Sequence, residues 1–203
     1  MVGEAVKHFK RGDIVIFPTD TLYGIGCAVN REEAIKKLCK IRRDPAKKPS
    51  VILATDLDQA RQYGYFSNLA LDLAKIFWPG PLTIIVRAKP KVPKFIRGAG
   101  DSIAIRIPNQ PGLLKIIGGL GCPILAPSAN FHGQKAPSRF KEIDKNLLAL
   151  VDYAIDLSSF EKATLMNQNP STLIDTTKEY VVIKRQGAIS EIEIEKAFGG
   201  ARK

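Results

Sequence analysis

The chain has 203 residues, 45% of them hydrophobic, which is enough for one domain with a sizeable core. Its formal net charge of +11 suits a nucleic-acid surface or a cleft for anionic ligands such as nucleotides, although a solvated basic surface has the same charge. The first residues lack the apolar run of a secretory signal, and no stretch reaches the roughly 18 apolar residues of a membrane span. Three widely spaced cysteines and two histidines predict neither a disulfide framework nor a zinc site. We therefore expect a reduced, cytoplasmic protein that has no membrane contact and ligates no transition metal.

The predicted elements interleave helices and strands along the chain. The first half is predicted to begin with a helix at 2–10 that stops at Gly12, a strand at 13–17, a helix at 31–42 capped by Asn30, and a strand at 51–54. Two helices follow, capped by Asp56 and Ser67, and the second of them runs to Trp78. The prolines at 78–82 then force a turn, which leads into a strand at 82–88.

The second half continues the alternation. It is predicted to hold strands at 102–108, 122–126, 171–175 and 180–185, and helices at 110–118, at 139–150 with Ser138 as its cap, and at 190–198. Interleaved strands and helices are typical of an α/β or α+β fold with a mixed sheet. We predict a single domain spanning 1–203.

Small polar groups follow several of the predicted strands. The strand at 13–17 runs into PTDTLYG, and the strand at 122–126 runs into PSAN. Ser and Thr beside Gly and Pro often serve only to make turns. Together, however, these segments supply the hydroxyls, amides and guanidinium groups that an amino-acid carboxylate or a phosphate needs. The chain contains no GxxxxGK[ST] motif and no GxGxxG motif that opens a helix, which excludes a P-loop NTPase and a dinucleotide fingerprint.

A basic run, KIRRDPAKKP at 40–49, lies between a predicted helix and a predicted strand. Fixed cations of this kind offset the charge that develops during phosphoryl or adenylyl transfer, so one interpretation is a clamp on a polyphosphate. A solvated loop or a docking site for an RNA backbone would have the same composition.

These motifs occur together in one family. FPTDTLYGIG, the basic run, WPGPLT, SIAIRIP, APSAN, STLID and KRQG follow each other in the order and spacing of the YrdC-like family, and the sequence resembles threonylcarbamoyl-AMP synthases over nearly its whole length. The chain is similar to the short form, without the extra C-terminal domain of longer members. The resemblance implies a twisted mixed α/β sheet with flanking helices around a deep basic cavity.

The resemblance also implies a reaction. L-Threonine and bicarbonate form an N-carboxy species, which attacks the α-phosphate of ATP and yields threonylcarbamoyl-AMP and pyrophosphate, with Mg²⁺ accompanying the ATP. A threonylcarbamoyl-transferase partner then modifies A37 of tRNAs that read ANN codons. No nucleophilic side chain is needed, so we expect Cys27 to be a small buried apolar residue.

The same resemblance assigns roles to particular residues. For L-threonine it implies contacts from Thr21, with Thr19 as the fallback, and from Arg106, Ser171 and the backbone of Ala126. For ATP it implies Lys48, Ser102, Ser128, Asn130 and Arg185. Arg42 and Lys48 are implied as the catalytic cations of the basic loop.

Two positions depart from the family pattern. The family's basic loop reads KGRP, and the aligned residues here are 42–45, which places Asp44 where the family has arginine. Leu53 stands where many members have a histidine near threonine. An acid near ATP would repel the phosphates unless it turns away or binds the metal, and Arg43 is the candidate replacement for the missing arginine.

Both departures resemble the YciO-like branch, and they leave two other functions open. One is an RNA-binding or ribosome-associated protein without robust synthase activity, with tRNA or double-stranded RNA as its partner. The other is a carbamoyl-adenylate enzyme like the YrdC-like domains of hydrogenase-maturation proteins, although the acylphosphatase and zinc-finger segments of those proteins are not seen in this sequence.

Overall fold

The computed structural model describes residues 1–43, 50–156 and 169–197. Within these ranges the helices are α1 (Val2–Arg11), α2 (Glu32–Arg42), α3 (Leu57–Arg61), α4 (Asn68–Phe77), α5 (Pro111–Leu120), α6 (Lys145–Leu148) and α7 (Glu191–Ala197), with short 3₁₀ helices at Lys94–Ile96 and Phe140–Glu142. The strands are β1 (Val15–Pro18), β2 (Tyr23–Ala28), β3 (Val51–Leu53), β4 (Gly64–Tyr65), β5 (Leu82–Ala88), β6 (Ser102–Arg106), β7 (Ile124–Leu125), β8 (Tyr153–Ala154), β9 (Thr172–Asp175) and β10 (Val182–Arg185).

The strands of the described residues form one mixed sheet. Its order is β10-β9-β5-β6-β3-β7-β2-β1-β8, with β4 added alongside β5. The pairs β3–β6, β5–β9 and β1–β8 are parallel, and the other pairs are antiparallel. The predicted mixed α/β class is therefore confirmed. The inner strands are buried along nearly their whole length because helices cover the sheet on both faces.

Two apolar clusters flank the sheet, and β1 contributes side chains to both of them. Ile16 of β1 is in the larger cluster, whereas Val15 and Phe17 are in the smaller one, beneath α1 and α5. This division follows from the alternation of side chains along a strand. The close packing of β2 on β7 depends on Gly26, because a Cβ at that position would collide with the carbonyl oxygen of Leu125.

Several predicted boundaries are confirmed by the caps. Gly12 ends α1 in the left-handed conformation with φ of 88°. The side chain of Asp56 accepts a hydrogen bond from the backbone N–H of Gln59, and that of Ser67 accepts one from Ala70. The strand pair predicted near the C-terminal end exists as β9 and β10.

Other local predictions are wrong. Arg31, not Asn30, is the N-cap of α2, and it makes no side-chain capping bond. The single helix predicted at 139–150 is two short pieces separated by the extended residue Ile143. Glu142 accepts the backbone N–H groups of Ser138 and Arg139, which closes the first piece, and Asp144 caps the second through Asn146. Local side-chain capping therefore interrupts the helical periodicity.

The turn at WPGPL, residues 78–82, is bonded to the end of strand β6. The Trp78–Pro79 peptide bond is cis, and the indole N–H of Trp78 donates to the carbonyl oxygen of Leu82 at 2.6 Å. Gly80 N–H donates to the carbonyl oxygen of Ile107 at 2.8 Å, which ties the turn to the end of β6. The turn thereby places the Gly80 carbonyl oxygen beside Arg106.

None of the helices in the described ranges is long and apolar enough to cross a membrane.

Candidate functional site

The PTDT segment is the tight connection between β1 and β2, and Thr19 holds it together. The Thr19 hydroxyl donates to the carbonyl oxygen of Leu22 at 2.7 Å and accepts the backbone N–H groups of Thr21 and Leu22 at 3.1 and 3.2 Å. Thr19 is therefore occupied as a turn residue. Thr21 is 2% exposed, and its hydroxyl accepts from Arg106 at 2.8 Å.

The PSAN segment is paired with the first residues of β2. The carbonyl oxygen of Pro127 accepts from Ile25 N–H at 2.9 Å, and Ala129 N–H donates to the carbonyl oxygen of Tyr23 at 2.8 Å. Gly24 and Ser128 are bridged between these bonds. This pairing brings the two motifs, which lie about a hundred residues apart in the chain, into one wall.

Arg106 is held by three hydrogen bonds, one from each of its guanidinium nitrogens. It is 5% exposed and lies at the end of β6. Its Nε donates to the Gly80 carbonyl oxygen at 3.0 Å, its Nη1 to Thr21 Oγ1, and its Nη2 to Asp20 Oδ1 at 2.5 Å. Burial lowers the pKa of Arg106, whereas the charge of Asp20 and its hydrogen bond raise it. The Asp20 carboxylate thus compensates for burying the guanidinium group.

Arg185 approaches the same region from β10, where the pairing with β9 shifts register between Ile183 and Arg185. An irregularity of this kind re-aims the side chain that follows it. The Arg185 guanidinium donates to the carbonyl oxygen of Ser171 at 2.9 Å and to its hydroxyl at 3.2 Å. The hydroxyl oxygens of Ser171 and Thr83 are 2.7 Å apart. Removal from water, and then repulsion by Arg106, lower the pKa of Arg185.

Arg42, the last residue of α2, joins that helix to the PSAN wall. Its Nη1 donates to the carbonyl oxygen of Ser128, and to that of Asn130 at 2.8 Å. The guanidinium carbon of Arg43 lies 5.4 Å from the centre of the Phe131 ring, a cation–π contact that holds it against this aromatic residue. Arg43 does not line the cavity formed by the described residues, and its role as a replacement for the family's arginine stays a prediction.

These segments surround a cavity of about 700 Å³. Four cations stand among its described lining residues, with no Asp or Glu: Arg42, Arg106, Lys135 and Arg185. Hydroxyl groups of Thr19, Thr21, Ser128 and Ser171 supply further polar lining. Because low-dielectric walls strengthen electrostatic interactions, the cavity is suited to anions.

Most of the residues predicted for the site meet at this cavity. It is lined by Thr21, Arg42, Arg106, Ala126, Ser128, Ser171 and Arg185, together with the fallback Thr19. Leu53 also lines it, opposite Arg106 in the β3–β6 register. Lys48 and Asp44 lie outside the described residues, so their predicted roles stay predictions.

Two predicted ATP contacts lie elsewhere. Ser102 is at the other end of β6 from Arg106, about 13 Å along the strand, and its hydroxyl donates to the carbonyl oxygen of Ala99 at 2.8 Å. The side-chain amide of Asn130 donates to the carbonyl oxygens of Phe131 and Gln134. Neither residue lines the cavity formed by the described residues.

Three further residues at the site carry no family motif assignment. Asp20 partners Arg106, Lys135 supplies a lining cation, and Phe95 supplies an aromatic face. Asp20 lies within the motif PTDT, but its partner Arg106 is distant in the sequence. Cys27 is fully buried, and burial raises the pKa of its thiol to about 12, so it is the inert core residue that was expected.

Comparisons with known proteins agree with this geometry. The Sua5/yciO/yrdC family profile, described as "Telomere recombination", matches residues 7–187. A Pyrococcus abyssi relative named threonylcarbamoyl-AMP synthase is 33% identical over 199 residues, which cover 98% of this chain and 57% of that protein. This chain therefore spans little more than half the length of that relative.

Two solved structures have the same fold. The crystal structure of P. abyssi Sua5 complexed with L-threonine matches with a TM-score of 0.88 and 32% identity, over 98% of this chain and 57% of that one. The crystal structure of Escherichia coli YciO matches with a TM-score of 0.84 and 27% identity, over 97% of this chain and 92% of that one.

Proposed function

We propose a function for this chain from one premise: it belongs to the Sua5/YciO/YrdC family. The chain is a threonylcarbamoyl-AMP synthase, which forms L-threonylcarbamoyladenylate and pyrophosphate from L-threonine, bicarbonate and ATP. The observation that carries this proposal is the cavity, whose described lining combines four cations and several hydroxyls with no carboxylate. Such a lining fits a reaction in which two of the substrates are anions and the third carries a carboxylate.

The proposed reaction has two bond-forming steps. The threonine amine, after losing a proton, attacks the carbon of bicarbonate, and loss of water leaves an N-carboxylate. An oxygen of that carboxylate then attacks the α-phosphorus of ATP, and the bond to pyrophosphate breaks. The carbamate is itself the nucleophile, so the enzyme is a nucleotidyltransferase that works by positioning and charge stabilisation.

Threonine is proposed to bind at the Arg106 end of the cavity. Its carboxylate would take the guanidinium hydrogens that Gly80, Thr21 and Asp20 leave available. Ser171 supplies a hydroxyl on the neighbouring wall. Ala126 N–H already donates to the carbonyl oxygen of Val51, so the backbone contact proposed for Ala126 uses its carbonyl oxygen, which suits the amine.

The phosphates are proposed to bind between Arg185 and the PSAN wall. Arg185 has no carboxylate partner among the described residues, and Lys135 reaches the same cavity. Arg42 fixes the backbone at Ser128 and adds positive charge. Lys48, from the basic loop, is proposed as a further phosphate contact. These cations would stabilise the charge that moves to pyrophosphate.

Mg²⁺ is proposed to enter with ATP. The described residues hold no group of three His, Cys, Asp or Glu side chains that would form a metal cage. Mg²⁺ commonly keeps phosphate oxygens and waters as ligands, so such a cage is not required. The hydroxyl groups of Thr21, Ser128 and Ser171 are among the side-chain oxygens that the described residues offer at the cavity. When bound, the ion would neutralise phosphate charge.

The proposal is tested by pyrophosphate release from purified protein. We expect release from ATP only when L-threonine and bicarbonate are both present. D-Threonine and L-valine serve as matched controls, since they alter the stereochemistry or remove the hydroxyl. Release at an equal rate without threonine would contradict the synthase function. Exchange that depends on carbamoyl phosphate would indicate the carbamoyl-adenylate enzyme instead.

The product is proposed to pass to a threonylcarbamoyl-transferase that modifies A37 of tRNA.

A second candidate function, RNA docking, is favoured by one surface, formed by Arg87, Lys89 and Lys91. Arg87 lies opposite Tyr65 in the β4–β5 pair, and Lys89 stacks over that ring at 5.1 Å. Exchanging all three cations for Gln should lower tRNA affinity and reduce the salt slope.

The matched control for RNA docking carries the same charge loss elsewhere. Lys7, Lys36 and Lys75 each form an ion pair on another surface, and they are exchanged for Gln together. Equal loss of tRNA binding in both triple variants would show that binding depends only on net charge, and would contradict a docking site on this surface.

A further inference from the structure

Phe95 is an exposed aromatic residue at the cavity. It lies in the 3₁₀ helix Lys94–Ile96, and 45% of its surface is exposed. Of the large apolar residues that are exposed in the described ranges, Phe95 alone lines the cavity. The cavity is also lined by cations, hydroxyls and aliphatic residues, so an exposed aromatic ring at its wall suits a ligand that has a planar part as well as an anionic part.

The segment around Phe95 is held rigidly. Val92 and Ile96 are each 1% exposed and anchor it in the core. Arg97 folds back on the segment, donating to the carbonyl oxygen of Val92 at 2.7 Å and pairing with Asp101 at 3.1 Å. Because these contacts fix the backbone, the segment that carries Phe95 needs no ordering when a ligand binds.

Phe95 and Arg106 mark two separated parts of the cavity. The carbonyl oxygen of Ile96 accepts the backbone N–H of Ser50, which places Phe95 beside the first residues of β3. Arg106 lies opposite Leu53, at the last residue of β3. Leu53 follows Ser50 by three steps of extended chain, a distance of about 10 Å. This spacing leaves room for phosphates and a ribose between an amino-acid carboxylate and a planar base.

We propose that Phe95 is the stacking face for the nucleobase of the nucleotide substrate. The inference rests on the proposed function for the use of a nucleotide and goes beyond it by assigning the base to a residue that lies outside the family motifs. Stacking on an aromatic ring tolerates any base, since every base has a π-face. Phe95 therefore contributes affinity for the nucleoside part of ATP, while the cations contribute affinity for its phosphates.

The test separates base binding from phosphate binding. Calorimetry measures the affinity of purified protein for ATP and for inorganic tripolyphosphate, which lacks a base. Phe95→Ala should weaken ATP binding by about 10-fold and leave tripolyphosphate binding unchanged. Phe95→Trp should retain ATP affinity. Tyr65→Ala is the matched control, because Tyr65 is an exposed aromatic residue that does not line the cavity.

Each outcome decides one question. Unchanged ATP affinity in Phe95→Ala, with ATP still bound, would overturn the stacking role and leave the synthase function standing. Equal loss of ATP and tripolyphosphate affinity would also overturn it, since that result would show a general disturbance of the cavity. A wild-type protein that binds tripolyphosphate but gains nothing from the base in ATP would remove both the stacking role and the use of a nucleotide.

Discussion

Arg106 and Arg185 line the same cavity, but they are held in different ways. Arg106 is 5% exposed and paired with the Asp20 carboxylate, and it also bonds Thr21 and Gly80. Arg185 is exposed to the cavity, and its described partners are the neutral oxygens of Ser171. One guanidinium group is therefore charge-compensated within the fold, whereas the other is not.

This difference fits the proposal that the two arginines bind different substrates. Threonine arrives as a zwitterion of zero net charge, so its carboxylate suits a cation whose charge is already balanced by Asp20. The phosphates of ATP carry several negative charges, so they suit a cation without a partner, such as Arg185. Burial, and then repulsion by Arg106, lower the pKa of Arg185, so an anion bound near both arginines would offset part of that repulsion.

The largest expected effect comes from removing the compensated arginine. Arg106→Ala leaves Asp20 largely buried without its cation, so we expect the free energy of unfolding to fall by about 3 kcal/mol. Threonine binding should weaken by roughly 1.5–3 kcal/mol, the scale of a charge-assisted hydrogen bond. Chemical denaturation measures the first change and calorimetry the second.

A double variant separates stability from binding at this arginine. Adding Asp20→Asn to Arg106→Ala removes the unpaired charge, so most of the lost stability should return while threonine binding stays weak. Threonine affinity that is unchanged in either variant would place the carboxylate site elsewhere.

Arg185→Gln should show the opposite balance. The variant loses no ion pair among the described residues, so the free energy of unfolding should change by about 0.5 kcal/mol or less. ATP binding should weaken by roughly 1.5–3 kcal/mol, because a charge-assisted contact to phosphate is lost. Calorimetry at two salt concentrations checks this, and a stability loss as large as that of Arg106→Ala would erase the contrast between the two arginines.

Ser171→Ala is expected to have an intermediate effect. The Ser171 carbonyl oxygen would still accept from Arg185, but Thr83 and the substrate would lose a hydroxyl partner. We expect threonine affinity to fall by roughly 0.5–1.5 kcal/mol, with a smaller change for ATP. A larger loss of affinity for ATP than for threonine would indicate that Ser171, like Arg185, contacts the nucleotide.

The smallest effect is expected at Lys135, which is exposed at the cavity. Lys135→Ala should weaken ATP binding by roughly 0.2–1 kcal/mol and leave threonine binding unchanged, as for other solvated charges. Lys141→Ala is the matched control, since Lys141 is exposed but does not line the cavity. Indistinguishable ATP affinities for the two variants would show that Lys135 contributes only to the net charge.

Much of the fold could be predicted from local patterns. The apolar β-branched runs predicted the central strands, and Asp56 and Ser67 predicted two helix starts because their capping bonds are local. The helix predicted at 139–150 failed because Glu142 and Asp144 close two short turns there. β2 was missed because its residues, YGIGCA, have no alternating pattern, and it is a strand only through pairing with β1 and β7.

The residues of the site could be predicted where they lie in a recognisable sequence motif. Arg106, Thr21 and Arg185, which the resemblance assigned to substrate binding, line one cavity. The resemblance did not supply Asp20 as the partner of Arg106 or Phe95 as a lining residue, because both depend on segments that meet only in three dimensions. Ser102 faces a local carbonyl oxygen instead of the cavity, although it lies on the same strand as Arg106.

The assignment of the two arginines is tested most directly by a structure of the complex with L-threonine and a non-hydrolysable ATP analogue. We predict that the threonine carboxylate contacts Arg106 while Asp20 stays paired, and that the analogue's phosphates contact Arg185. A complex in which the phosphates bind Arg106 and displace Asp20, or in which Arg185 contacts neither ligand, would contradict the account.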